Sequence, residues 1–203
     1  MSPIRRLSAV LVVLAFVGCA GGTEVDSIWK DPTAVGPKGN LLIVGLSDNQ
    51  TSRRMFEDAL TSTLTAAGNQ ASQSYPVIPS GREADKQAMT GMLREKGFDA
   101  ILTARAVSED KEKIYNPEPE YFTPPSYYYS YWDFYSPATQ AVSAPGYYTE
   151  ETWVRVETNL YDADGKLIWT AATSTLKNGD MREEIHSLCA TLTKQLEKSG
   201  LIK

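Results

Sequence analysis

The six residues Leu41-Leu42-Ile43-Val44-Gly45-Leu46 carry no polar side chain, and no other part of the chain constrains the fold as much. A half-exposed strand alternates apolar with polar residues. A continuous apolar run bounded by turn residues, here Asp48-Asn49, is instead a strand covered on both faces. Covering both faces takes helices on both sides of a mostly parallel sheet. The next residues supply the first of these helices. Met55, Phe56, Ala59, Leu60, Thr63, Leu64 and Ala67 recur at helical spacing behind a cap at Asn49 or Thr51, and Gly68 stands where a C-cap glycine belongs.

The pattern then repeats. Tyr75-Pro76-Val77-Ile78-Pro79 is short and bracketed by prolines, which cannot donate to a ladder, so it reads as an edge strand. A second helix is predicted over about 82–96, closed by Gly97, and residues 99–107 form another buried strand. Further on, Val154, Val156, Thr158 and Leu160 alternate with Arg155, Glu157 and Asn159. Asp162-Ala163-Asp164-Gly165 turns that strand into residues 166–175 as a hairpin, and a helix over about 180–198 follows. With right-handed crossovers the predicted sheet order is 2-1-3-4-5, running 75–79, 41–46, 99–107, 152–161, 166–175. The predicted class is α/β (α+β), a mixed five-stranded sheet built as β-α-β-α-β, then a hairpin and a C-terminal helix. The first two helices fall on opposite faces; the face of the third is left open.

The amino terminus carries an address. Arg5 and Arg6 precede a largely apolar stretch over 7–17, and Gly18 precedes Cys19, the layout of a secretory signal peptide. An 11-residue helix of this stretch is about 16 Å long against a hydrocarbon core of roughly 30 Å, too short to span. Phe16-Val17-Gly18-Cys19 resembles the lipobox of bacterial lipoproteins, with Phe16 in place of the commoner Leu. That resemblance implies a diacylglycerol thioether on Cys19, cleavage before it and an acylated new amino terminus. Ala20 after the cysteine resembles the pattern sent to the outer membrane. Ordinary signal-peptidase cleavage just beyond Gly18-Cys19-Ala20 is the alternative. The expected organisation is signal peptide 1–18, lipid-anchored tether 19–40, and one domain over 41–203 with a Tyr/Pro-rich insertion at 113–149. Ile28-Trp29 fit a free tether poorly, so Trp29 is expected to dock on the domain.

Charge and cofactor chemistry are restricted. Loss of Arg5 and Arg6 with residues 1–18 leaves 18 basic groups, the 20 of the whole chain less those two, against 25 acidic ones. Such a surface does not collect nucleic-acid phosphates, while acyl chains hold a protein on a membrane without a basic patch. One His (His186) and two Cys (Cys19, Cys189) cannot build a four-ligand zinc site, a haem attachment or a disulfide framework. No metal and no cofactor beyond the covalent lipid is expected. No nucleophile elbow, phosphate-binding loop or dinucleotide fingerprint is present, so the chain reads as a non-enzyme. Cys189 shares a helical face with Ile185, Leu188, Leu192 and Leu196 and reads as core, and His186 reads as a helix-flank residue. Asp162-Ala163-Asp164-Gly165 resembles the start of a calcium loop but lacks the closing glutamate, which favours a turn. Arg105 inside an apolar strand is expected to pair internally with Asp48, Glu57 or Glu157.

Two places remain as binding candidates. Ligands of such sheets sit outside the carboxyl ends of the parallel strands where winding reverses, which singles out Asp48, Asn49 and Glu109; the crevice there is either a ligand site or simply filled. The second place is residues 115–148, which hold nine of the eleven Tyr and six of the eleven Pro. Connections of that length are functional or disordered, and tyrosines supply rigid amphipathic contact area. Tyr128, Tyr131 and Trp132 are its candidate anchors. The sequence leaves three roles open: protein contact, folding back over the crevice, or contact with glycan or lipid headgroups.

The lipobox, Trp29-Lys30-Asp31-Pro32, the strand and helix over 41–67, the Tyr/Pro-rich insertion, Glu150-Glu151-Thr152, Asn159-Leu160-Tyr161-Asp162 and Gly165-Lys166-Leu167-Ile168-Trp169 together resemble a family of small bacterial lipoproteins whose shared domain has no assigned activity. In architecture alone the domain resembles the amino-terminal domain of TolB-type envelope proteins, which implies work through partners. The expectation is an outer-membrane lipoprotein facing the periplasm, an interaction or accessory module with a protein partner. The alternative is a periplasmic glycan- or small-ligand-binding protein using the crevice and the Tyr-rich loop.

Overall fold

The computed structural model describes residues 22–78, 91, 93–117 and 146–203. They form a mixed α+β sheet structure: β1 (Thr23–Lys30), β2 (Asn40–Leu46), α1 (Gln50–Ala66), β3 (Gln70–Gln73), β4 (Ala100–Asn116), β5 (Tyr147–Asp162), β6 (Leu167–Leu176) and α2 (Met181–Lys198). The order is β1-β6-β5-β4-β2-β3. β2 is parallel to both β3 and β4, and the remaining pairs are antiparallel. The five-strand order 2-1-3-4-5 is therefore present, with a sixth strand added at the far edge.

That sixth strand corrects the expectation of a tether over 19–40. β1 pairs along its length with β6, from Thr23 opposite Thr175 to Lys30 opposite Trp169. The open edge of β6 offers a row of backbone partners that a mobile linker would leave to water. Trp29 docks through its backbone, opposite Thr170, while its ring stays half exposed. The other edge also differs from expectation. The strand is Gln70–Gln73, not 75–79, where Val77 and Ile78 donate back to the Ser74 carbonyl in a turn. Pro76 supplies no N–H for a ladder, so pairing falls on the polar residues before it.

One face of the sheet carries both α1 and α2. Leu41 and Ile43 of β2, Ala100 and Leu102 of β4, Leu160 of β5 and Trp169 and Ala171 of β6 pack there against Leu60 and Leu64 of α1 and Leu188, Cys189, Leu192 and Leu196 of α2. Thus α2 joins the face of α1. On the opposite face Leu42 and Val44 meet Ile78, Leu93 and Phe98. Residues 93–95 are the last turn of a helix that closes at Gly97; the rest of the helix expected over 82–96 lies outside the described residues. Beyond Ile101, β4 and β5 carry Thr103, Arg105, Glu157 and Asn159 on this second face.

Arg105 points to that polar face, which corrects the expectation of a buried guanidinium. It stands opposite Glu157 and donates to its Oε2 through Nε at 3.1 Å and Nη2 at 2.8 Å, with both side chains open to solvent. The hairpin turn is as predicted. Gly165 takes φ +81°, a region where only glycine is unstrained, and the Asp162 carboxylate accepts from the Asp164 and Lys166 N–H groups.

Lys166 also joins this turn to the loop after β1 by pairing with Asp31. The hydrogen bond from Lys166, then those from the Thr33 N–H and hydroxyl, hold the Asp31 carboxyl at about 2 against an ordinary 3.8. A carboxylate whose pKa is lowered on folding contributes stability that is complete above about pH 4 and lost as the pH falls through about 2. Asp31→Asn should therefore lower the urea midpoint near neutrality, and the gap to the parent protein should close in acid. An equal gap at both pH values would remove this assignment.

Candidate functional site

Parallel strands β2 and β4 lie side by side, and the chain turns from the end of β2 into α1. Their carboxyl ends open between the amino-terminal turns of α1 and α2 into a crevice of about 280 Å³. Its floor is apolar: Phe56 of α1, Ala104 of β4, Val154 and Val156 of β5, and Ile185 and Leu188 of α2. Ser47, Ser52, Arg53, Arg105, Glu109, Thr175, Lys177 and Glu184 form its polar lining. A β-bulge at Val107, between Ala106 and Ser108, bends β4 here.

The crevice thus lies where the strand order placed it, although the three predicted residues fare differently. Glu109 lines it and pairs with Lys177, whose Nζ lies 3.2 Å from Oε1. Asn49 is committed elsewhere as the N-cap of α1, accepting from the Thr51 and Ser52 N–H groups. Asp48 is exposed in the adjoining turn, and Ser47 takes the place on the lining. Cys19, Tyr128, Tyr131 and Trp132 lie outside the described residues.

The strongest polar feature is one that sequence reading did not assign. Glu57, fully buried, accepts at Oε1 from the Gly45 N–H, Arg53 Nε and the Ser74 hydroxyl, and at Oε2 from the Ser74 and Tyr75 N–H groups. Arg53, also buried, donates through Nη2 to Ser74 Oγ at 2.9 Å. This clasp ties α1 to the end of β2 and to the turn after β3. Gly45 makes room for it, since a Cβ there would lie 3.3 Å from Arg53 Cγ and from its carbonyl oxygen. A signal existed: at helical spacing Arg53 and Glu57 fall in line with Leu60 and Leu64, to one side of the stripe that Met55, Ala59 and Thr63 mark.

Chemically, the crevice is a shallow apolar trough with committed polar groups at its mouth. Glu184 accepts from the Asn178 and Gly179 N–H groups ahead of α2. His186, the chain's single histidine, lines a separate groove between β1 and α2. Burial pushes the Cys189 thiol up to about 12, leaving no thiolate near neutrality. Among the described residues no group of three His, Cys, Asp or Glu side chains is placed to hold a metal ion, and no helix is long and apolar enough to cross a membrane.

No protein-family model matches the chain, and no curated protein matches it. Solved structures similar to it include a PelC dodecamer from Paraburkholderia phytofirmans, at 14% identity and a TM-score of 0.45 over 89% of this chain and 99% of that one. The lipoprotein GNA1162 from Neisseria meningitidis is similar at 14% identity and a TM-score of 0.42, over 79% of this chain and 99% of that one. Identity at this level transfers no residue role to this chain.

Proposed function

We propose that the chain is an outer-membrane lipoprotein, anchored through a diacylglycerol thioether and an N-acyl group on Cys19, that serves the cell envelope as a non-catalytic interaction or accessory module. The observation that carries this reading is the union of the lipobox-like motif with the sheet edge. The Gly22 carbonyl accepts from the Leu176 N–H, three residues after Cys19, so a lipid there would hold the folded sheet itself and not a loose tail. The acidic surface fits anchoring by acyl chains, which need no cationic patch. The partner would be met through the aromatic insertion, with Tyr128, Tyr131 and Trp132 as anchors. Mass spectrometry of the mature amino terminus tests the reading. A lipid-modified Cys19 is expected, and an unmodified start at Ala20 or later would overturn it.

The crevice favours a second reading, a small-ligand or glycan site, because its volume of about 280 Å³ lies just below the usual ligand-pocket range of roughly 300–1,000 Å³. A thermal-shift screen with peptidoglycan fragments, nucleotides and apolar acids separates the two. A true ligand at a hundred times its Kd adds about 2.7 kcal/mol, and a flat screen would leave the accessory module standing.

A further inference from the structure

The strands β4 and β5 outrun the sheet. β2 ends opposite Arg105, and β6 ends at Leu176, which stands opposite Trp153, itself opposite Asp110. Beyond that row β4 and β5 pair with each other, from Lys111 opposite Thr152 to Asn116 opposite Tyr147, with one further backbone bond at the first rung, from the Lys177 N–H to the Thr152 carbonyl. Six further rungs at about 3.3 Å each make a two-stranded ribbon about 20 Å long. Its inner rungs are charged, with Lys111 bonded to Glu150 at 2.8 Å and Lys113 opposite Glu150. Its last three rungs carry no charge: Ile114 with Thr149, Tyr115 with Tyr148, and Asn116 with Tyr147. The Tyr115 and Tyr148 rings pack at 5.0 Å and 48°, yet Ile114, Tyr115, Tyr147 and Tyr148 remain 37, 53, 63 and 70% exposed.

We infer that this uncharged ribbon tip seats in the headgroup region of the membrane that holds the lipid on Cys19. The inference rests on the anchored reading above and adds an orientation to it. Gly22 bonds to Leu176 in the row where the ribbon begins. Cys19 is three residues away, so the bilayer surface lies within about 10 Å of that row. The ribbon cannot point away from the membrane: the rest of β1, eight residues and about 27 Å long, would then have to fit inside that 10 Å gap. Turned toward the bilayer, the 20 Å ribbon spans that gap and brings its tip to the surface. Its three uncharged rungs span about 10 Å, matching the depth of roughly 5–10 Å to which interfacial segments bury apolar faces. Tyrosine is the residue that suits that zone, with an apolar body and a polar tip. The charged rung at Lys113 and Glu150 stops deeper entry.

The test uses the full lipidated chain in phosphatidylcholine vesicles, spin-labelled at Thr149→Cys on the tip or at Asp164→Cys in the turn at the other end of the sheet. Cys189 stays unlabelled because it is buried. The tip label should be several-fold less accessible to a water-soluble nickel chelate than the turn label, and molar salt should not restore access, since screening weakens only charge attraction. Tyr115→Ser, Tyr147→Ser and Tyr148→Ser together should return the tip label to water while circular dichroism stays unchanged. Equal access at tip and turn in a chain whose mass proves the lipid would overturn the inference alone, as would shielding that survives the triple change. A mass without lipid would overturn the anchored reading and this inference with it.

Discussion

Glu57→Ala is expected to cost about 3–5 kcal/mol, the usual loss when one member of a buried ion pair is removed, and a fall in melting temperature of about 10 °C for a chain of this size. The site explains the size of the effect. Glu57 is fully buried, and its carboxylate takes five hydrogen bonds from Gly45, Arg53, Ser74 and Tyr75. Truncation takes the Glu57 acceptor from the buried Gly45 N–H and the half-buried Tyr75 N–H, which then face their desolvation cost, while the Ser74 N–H keeps the Ile43 carbonyl at 2.9 Å. Glu57→Gln should recover little. Whichever way the amide is turned, its NH2 meets donors, either those of Gly45 and Arg53 or those of Ser74 and Tyr75. Because the clasp holds Gly45 and Arg53 on the crevice lining, hydrogen exchange there should rise in both variants. Urea unfolding checks the energy, and a loss below about 1 kcal/mol would mean that the turn after β3 reorganises to satisfy its own donors.

Trp169→Ala should cost about the same, roughly 3–5 kcal/mol, by a different route. Trp169 is fully buried on β6 among the core residues beneath α2, and its indole N–H donates to Ser199 Oγ at 3.1 Å. The same Ser199 caps α2 and accepts Lys30 Nζ at its carbonyl at 2.6 Å. One side chain therefore joins β6, the end of α2 and, through Ser199, the edge strand β1. Alanine opens a void that a close-packed interior refills only in part. Trp169→Phe keeps most of the volume and loses the indole bond, so about 1–2 kcal/mol is expected. If alanine and phenylalanine prove equally mild in denaturant titrations, this joint is not where the sheet and α2 are held together.

Several features are legible in the sequence because they depend on neighbours along the chain. The run at Leu41–Leu46 and the alternation of Val156, Thr158 and Leu160 report burial through a period of one or two residues. The turn at Gly165 reports itself through residue chemistry, and the rule of right-handed crossovers converts those elements into the strand order that is seen. The crevice followed from that order. So did Glu109 on its lining, but the residue contributed by the end of β2 did not, because which of Ser47, Asp48 and Asn49 faces inward depends on a cap geometry set at the first turn of α1.

The sequence by itself determined the parallel core, the hairpin, the two amphipathic helices and the address-like motif at Cys19, each written in local periodicity or in a contiguous motif. Only the tertiary structure decided the rest, and the reason in each case is a partner far away along the chain. The segment Thr23–Lys30 becomes a strand because β6 presents an open edge some 145 residues later. Residues 111–116 extend as a ribbon with no buried face to impose a period, so backbone pairing with β5 sets their length. Arg105 turns outward because no described element covers that face of β4 beside it, and Glu57 finds its donors at Ser74 and Tyr75, across a strand and a turn that helical spacing cannot foresee.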